Sequence, residues 1–113
     1  MQTLALGDLI EFAADKRIRK RLIMANRIEA ELVCYAPGQA TVEHHHVGQD
    51  EIFYIVEGSG AITVDGETTQ VSAGSMVLAP AESKHSVQSD PDSNMVMMFF
   101  KAPGRGAGKS NKT

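Results

Sequence analysis

Three histidines and a glutamate stand at spacings suited to a metal cage: His44-x-His46, then Glu51, then His85. Side chains alternate along a strand, so two histidines two residues apart point to the same side of a sheet. A carboxylate from the next strand and a third imidazole complete a donor set for a first-row transition metal. Asp50 is the competing carboxylate, and strand parity turns it outward if Glu51 points inward. His45 faces away from its two neighbours. Glu51 shares its face with Phe53 and Ile55, where an ionised carboxylate is costly to bury unless it is paired or bound to a cation.

These residues need a sheet to hold them. Turn signals recur at short intervals: Pro37-Gly38, Val47-Gly48, Gly58-Ser-Gly60, Asp65-Gly66, Ala73-Gly74, Pro80 and Asp90-Pro91-Asp92-Ser-Asn94. Short apolar and β-branched runs separate them, the rhythm of an all-β barrel or sandwich. The runs predict strands near Leu9–Phe12, Arg19–Ala25, Ile28–Tyr35, Thr41–His46, Glu51–Val56, Gly60–Val64, Glu67–Val71, Met76–Ala79, His85–Gln88 and Met95–Lys101. Asp65-Gly66 predicts a type I′ hairpin turn. In Thr41–His46, Val42 shares the face of His44 and His46 and is expected to anchor that pair toward the core. The stretch from Asp15 to Leu32 has helical propensity, but its apolar stripe is patchy, and strand fits its surroundings better.

At 113 residues the chain has the size of one domain. Residues 1–103 are read as the barrel and 104–113 as a flexible Gly- and Lys-rich tail. Gly108-Lys109-Ser110 lacks the spacing and the following helix of a phosphate-binding loop. No run is long and apolar enough to span a membrane, and no secretory signal is visible. The single cysteine, Cys34, excludes an intrachain disulfide and fits a cytoplasmic protein. Cys34 itself reads as a small buried residue. Aromatic residues are scarce, at 5%, which speaks against a base-stacking nucleic-acid surface. The basic cluster Lys16, Arg17, Arg19, Lys20 and Arg21 could receive an anion, but it reads first as a solvated strand edge.

The stretch Gly38 to Gly58, with its His44-x-His46 and Glu51, resembles the first motif of the cupin family. Gly74-Ser-Met-Val-Leu-Ala-Pro80 through His85 is similar to the second. Glu82 departs from it where the family usually has glycine, and Ser89 where it often has asparagine. The resemblance implies a double-stranded β-helix, a jelly-roll barrel. It also implies that His44, His46, Glu51 and His85 hold one divalent transition metal: Fe, Mn, Ni, Co, Cu or Zn. Two open coordination positions would make Lewis-acid or oxygen chemistry available.

The leading expectation is therefore a metal-dependent enzyme of dioxygenase type acting on a small organic molecule. Phe53, Ile55, Val87, Met76 or Val77, and one face of Met95–Phe100 are expected to line an oily pocket. A second expectation comes from cupins that open unsaturated uronates in pectin breakdown. Phe99, Lys101, Pro103 and Arg105 resemble their last-strand residues, without the acid. A third is a non-catalytic binding module. The resemblance also implies a homodimer, paired through the predicted strands Leu9–Phe12 and Arg19–Ala25.

Overall fold

The computed structural model describes residues 1–105. After a short 3-10 turn at Leu6–Asp8 come eight strands. They are β1 (Ile18–Met24), β2 (Glu29–Tyr35), β3 (Ala40–His44), β4 (Asp50–Val64), β5 (Glu67–Ser72), β6 (Met76–Ala79), β7 (His85–Ser89) and β8 (Met95–Ala102). The first sheet runs β1-β2-β8-β4-β6 and the second β3-β7-β4-β5, with antiparallel neighbours throughout. The two sheets roll into a double-stranded β-helix.

Strand β4 belongs to both sheets. Its first half pairs with β8 and β6, and its second half with β5 and β7. The sequence predicts two strands here, and the structure makes one of 15 residues. The corner lies near Gly58. Pairing with β8 shifts register between Ile55 and Glu57, and Gly58 has φ +78°. A Cβ at that position would lie 1.7 Å from the Asn94 carbonyl oxygen. Only glycine lets the strand turn there and pass so close to its neighbour.

Burial alternates along β4, as a sheet with one dry face requires. Val33, Phe53, Ile55, Met97 and Phe99 of the first sheet meet Ile62, Val71 and Val87 of the second. Val77 packs against this core, whereas Met76 is 67% exposed. The hairpin between β4 and β5 closes on Val64 and Glu67, with positive φ at Asp65 and Gly66, as a type I′ turn demands.

A second apolar cluster lies on the outer face of the first sheet. Leu32, Cys34 and Val96 are buried there beneath Leu6, Leu9 and Ile10. The predicted strand Leu9–Phe12 is absent. Its apolar positions, 6, 9 and 10, are spaced three and four apart, so a turn rather than an extended run brings them onto one surface. Lys20 reaches this segment from β1 and donates to the Leu9 carbonyl at 2.9 Å.

At the other end, Gly104 packs against the backbone of Ala25 and Ile28, and the Arg105 amide donates to Glu29. These two residues, read from sequence as tail, are tied to the barrel. Residues 106–113, with the Gly108-Lys109-Ser110 sequence, lie outside the described residues. Among the described residues, no helix is long and apolar enough to cross a membrane.

Candidate metal centre

Strands β3 and β7 pair so that His44 stands opposite His85. The register of that pairing shifts between Thr41 and His44, which breaks simple alternation. Thr41 therefore turns inward, its hydroxyl 2.8 Å from that of Tyr35. Val42 does not anchor the histidines toward the core. It stands 80% exposed at the rim of the cavity described below.

Strand β3 ends at His44, so His46 belongs to a loop rather than to the predicted strand. Tertiary contacts hold that loop in place. The Glu82 amide donates to the His46 carbonyl at 2.9 Å, and the Arg105 guanidinium to that of Val47 at 3.2 Å. The Gln49 side chain donates to the Pro103 carbonyl at 2.9 Å. Glu82 adopts φ +67°, so the position where the motif usually has glycine keeps glycine's conformation with a glutamate in it.

The three imidazoles meet at the inner end of this arrangement. Ring centroids lie 4.3 Å apart for His44 and His85, 5.0 Å for His44 and His46, and 5.5 Å for His46 and His85. One nitrogen of each lies within 4.8 Å of the others, a group that could hold a metal ion. Two of the rings are oriented by backbone carbonyls. His44 Nδ1 lies 2.9 Å from the Val42 oxygen, and His85 Nδ1 3.3 Å from that of Ser83. With Nδ1 donating, Nε2 carries the free lone pair in both.

From β4, Glu51 approaches two of the three imidazoles. Its Oε1 lies 3.2 Å from His85 Nε2 and 3.4 Å from His46 Nε2. Despite the short distance, Glu51 Oε1 and His85 Nε2 are both buried without a hydrogen bond, since with Nδ1 donating to Ser83 both atoms are acceptors. Asp50 is exposed and accepts from the Ala81 amide at 2.9 Å instead. His45 is exposed on the far side of the loop.

Burial favours the neutral form of His44 and His46. Burial lowers the pKa of His44, and it lowers that of His46 to about 4, although the Glu51 charge pulls the other way. Neutral imidazole is the form that ligates metals.

A cavity of about 280 Å³ opens onto the histidines. Val33, Phe53, Val87, Met97 and Phe99 make its apolar walls, and Arg17, Arg19 and Lys101 bring positive charge to it. Tyr35 and Thr41 supply hydroxyls, and burial pushes the Tyr35 phenol up to about 12. Beside this lining, on the same inner face, buried Glu31 binds Arg19 Nε at 2.7 Å and Lys101 Nζ at 3.3 Å. Burial alone would raise the Glu31 carboxyl, but these two cations outweigh it and hold it below its ordinary value.

The chain matches the Cupin domain family over residues 31–101. It is a cupin. The polyketide synthase CurC of Streptomyces cyaneus is 31% identical over 72 residues, 64% of this chain and 47% of that protein. Gentisate 1,2 dioxygenase 1 of Aquipseudomonas alcaligenes is 36% identical over 70 residues, 61% of this chain and 20% of that enzyme. This cupin spans about half the length of the first curated relatives it matches. The crystal structure of TT1209 from Thermus thermophilus superposes with a TM-score of 0.85 at 27% identity, covering 91% of this chain and 98% of that one.

The basic cluster of this cupin is not simply a solvated edge. Along β1, Arg19 and Arg21 stand opposite Val33 and Glu31 of the inner face, while Ile18 and Leu22 join the outer cluster. The signal was present in the sequence as alternation, Arg-x-Arg-x-Arg from position 17, but composition alone could not say which side of the strand was inside. Cys34 is buried on the opposite face of the sheet from the cavity, and burial raises its thiol pKa.

Proposed function

We propose that this cupin holds one divalent transition metal on His44, His46, His85 and Glu51 and acts on a small organic molecule in the adjoining cavity. One observation carries the reading: a buried carboxylate oxygen and a buried imidazole nitrogen face each other without a hydrogen bond. An arrangement of that kind is costly unless a cation compensates it. Two donors about 2.1 Å from one ion and at right angles lie about 3 Å apart, so the spacing of Glu51 from both histidines suits shared coordination. Nitrogen and oxygen donors of this kind suit Fe, Mn, Ni, Co, Cu or Zn.

When bound, such a metal supplies a Lewis acid or an oxygen-activating centre. The similarity to a gentisate dioxygenase supports the second role. The protein's own part is to orient the imidazoles through the Val42 and Ser83 carbonyls and to surround the reacting molecule with Phe53, Met97 and Phe99. The apolar walls exclude water from one side of the site. The sugar-acid reading has weaker support, since the last strand brings Lys101 to the cavity where that activity uses an acid.

Elemental analysis of protein purified without chelators tests the assignment. The parent is expected to carry close to one transition-metal ion per chain. His46→Ala and Glu51→Ala are expected to lose most of it, because each removes a ligand. Equal metal content in all three proteins would end the proposal.

A further inference from the structure

The cavity has an apolar body and a cationic mouth, and the cations are arranged rather than scattered. Arg19 is fixed at one end of its guanidinium: Nε donates to Glu31 at 2.7 Å, and Cζ lies 5.9 Å from the centroid of the Phe99 ring. Its two terminal nitrogens have no hydrogen-bond partner among the described residues. Arg17 lines the same cavity and has no hydrogen-bond or ion-pair partner among the described residues. Lys101 lies over the Phe99 ring at 5.1 Å and shares Glu31 with Arg19.

Charge then restricts the occupant. Three cations line the cavity against the single carboxylate of Glu51, and Glu31 beside the lining offsets one cation more. The space is therefore positive before any metal enters, and a divalent ion makes it more so. A cleft of one sign with low-dielectric walls concentrates ligands of the opposite sign. A guanidinium held at Nε presents its remaining fork to a planar anion, the geometry that carboxylates match.

We propose that this site takes a small organic acid. Its carboxylate binds Arg17 and Arg19 at the mouth, and its apolar body lies against Phe53, Met97 and Phe99 with the far end toward the histidines. The inference rests on the metal-dependent reading above for what lies at that far end. A volume of about 280 Å³ suits a molecule near the size of a single ring. Lys101 and Glu31 act as positioning residues, since Glu31 holds both cations in place.

Calorimetric titration with benzoate, benzamide and inorganic phosphate tests the inference on metal-loaded and metal-free protein. Benzoate is expected to bind at least about tenfold more tightly than benzamide, which has the same shape without the charge. It should also bind more tightly than phosphate, which lacks the apolar body. Arg17→Gln removes an exposed side chain with no hydrogen-bond or ion-pair partner among the described residues, so folding is not at risk, and the variant should lose most of the preference for benzoate. Arg19→Gln should do the same, and Arg27→Gln, outside the cavity lining, should not.

Equal affinity for benzoate and benzamide overturns the inference, as does a benzoate affinity indifferent to Arg17 and Arg19. Phosphate binding as tight as benzoate overturns the choice of an organic acid. Absence of benzoate binding overturns it as well. Metal content, measured on the same samples, separates the two readings. Protein that takes up no metal from solution yet still prefers benzoate through its arginines defeats the metal assignment alone. Metal-loaded protein without that preference defeats the anion assignment alone.

Discussion

Glu51 Oε1 lies 3.2 Å from Nε2 of His85, and neither atom has a hydrogen bond although both are buried. The pair makes the fold's response to metal predictable. In metal-free protein Glu51 is a burden, so Glu51→Gln should raise stability by about 1 kcal/mol. With metal present the sign should reverse, because the parent gains binding free energy that the variant forfeits. Thermal melts with and without chelator measure both. The same ranking in the two conditions would remove the cation from the explanation.

Acid should destabilise the metal-free barrel earlier than carboxylate titration alone requires. Burial places the pKa of His46 at about 4 and also lowers that of His44. The unfolded chain takes up protons near the ordinary value of about 6.5, and the folded chain does so only at lower pH. The unfolded state thus binds more protons across that window, and stability falls as pH drops from about 6.5 toward 4. His46→Gln should flatten part of the decline. A melting temperature constant over this range would contradict the burial of these imidazoles.

Glu82→Gly should stabilise the protein by up to about 1 kcal/mol. A left-handed backbone costs a residue with a Cβ about 1–2 kcal/mol, and glycine's added freedom in the unfolded chain returns part of the gain. The two contacts from the Gly48 amide to the Glu82 carboxylate are long, at 3.4 Å, and exposed. Chemical denaturation of the two proteins decides the sign, and a clear loss of stability would show that those contacts matter more than the backbone strain.

Gly58→Ala should be severe, at about 3 kcal/mol or more. The new Cβ would meet the Asn94 carbonyl oxygen at 1.7 Å, a backbone atom that cannot move without opening the contact between β4 and β8. A soluble variant with parental stability would refute the corner described for β4.

The homodimer, expected from sequence to pair through Leu9–Phe12 and Arg19–Ala25, is better sought elsewhere on the outer face of the first sheet, since Leu9–Phe12 forms no strand and Leu9 and Ile10 pack on their own barrel. Ile52, Met76 and Leu78 are exposed there, and Ile52 stands beside Leu78 and Phe100 in the pairing. Contiguous exposed apolar surface marks association sites, and these three side chains lie close together on adjacent strands. We expect a sedimenting species of twice the 12.2 kDa chain, and a shift to monomer on Ile52→Glu. A monomeric parent would end the expectation.

Much of this was legible along the chain. Period-two patterning and turn residues locate β2, β5 to β8, the two halves of β4 and the Asp65-Gly66 hairpin, because both are local consequences of backbone geometry. The metal-type residues were legible from their types and spacing, although the strand alternation invoked for them ends at His44. Where the chain leaves regular alternation, the inference fails. The register shift between Thr41 and His44 sends Val42 outward and Thr41 inward. Leu9–Phe12 is no strand, because its side chains are wanted on a sheet face rather than at an edge.

By itself the sequence determined the strand periodicity, the donor types offered by His44, His46, Glu51 and His85, and a turn signal at Gly58-Ser-Gly60. Tertiary structure alone decided that His46 is held from a loop, that Glu51 and His85 are buried facing each other, and that Arg17, Arg19 and Lys101 surround the same space. The physical reason is range. Alternation and turn propensity act between neighbours in the chain, whereas desolvation and charge at the cavity come from residues as far apart as Arg17 and Lys101, which only the rolled sheet brings together.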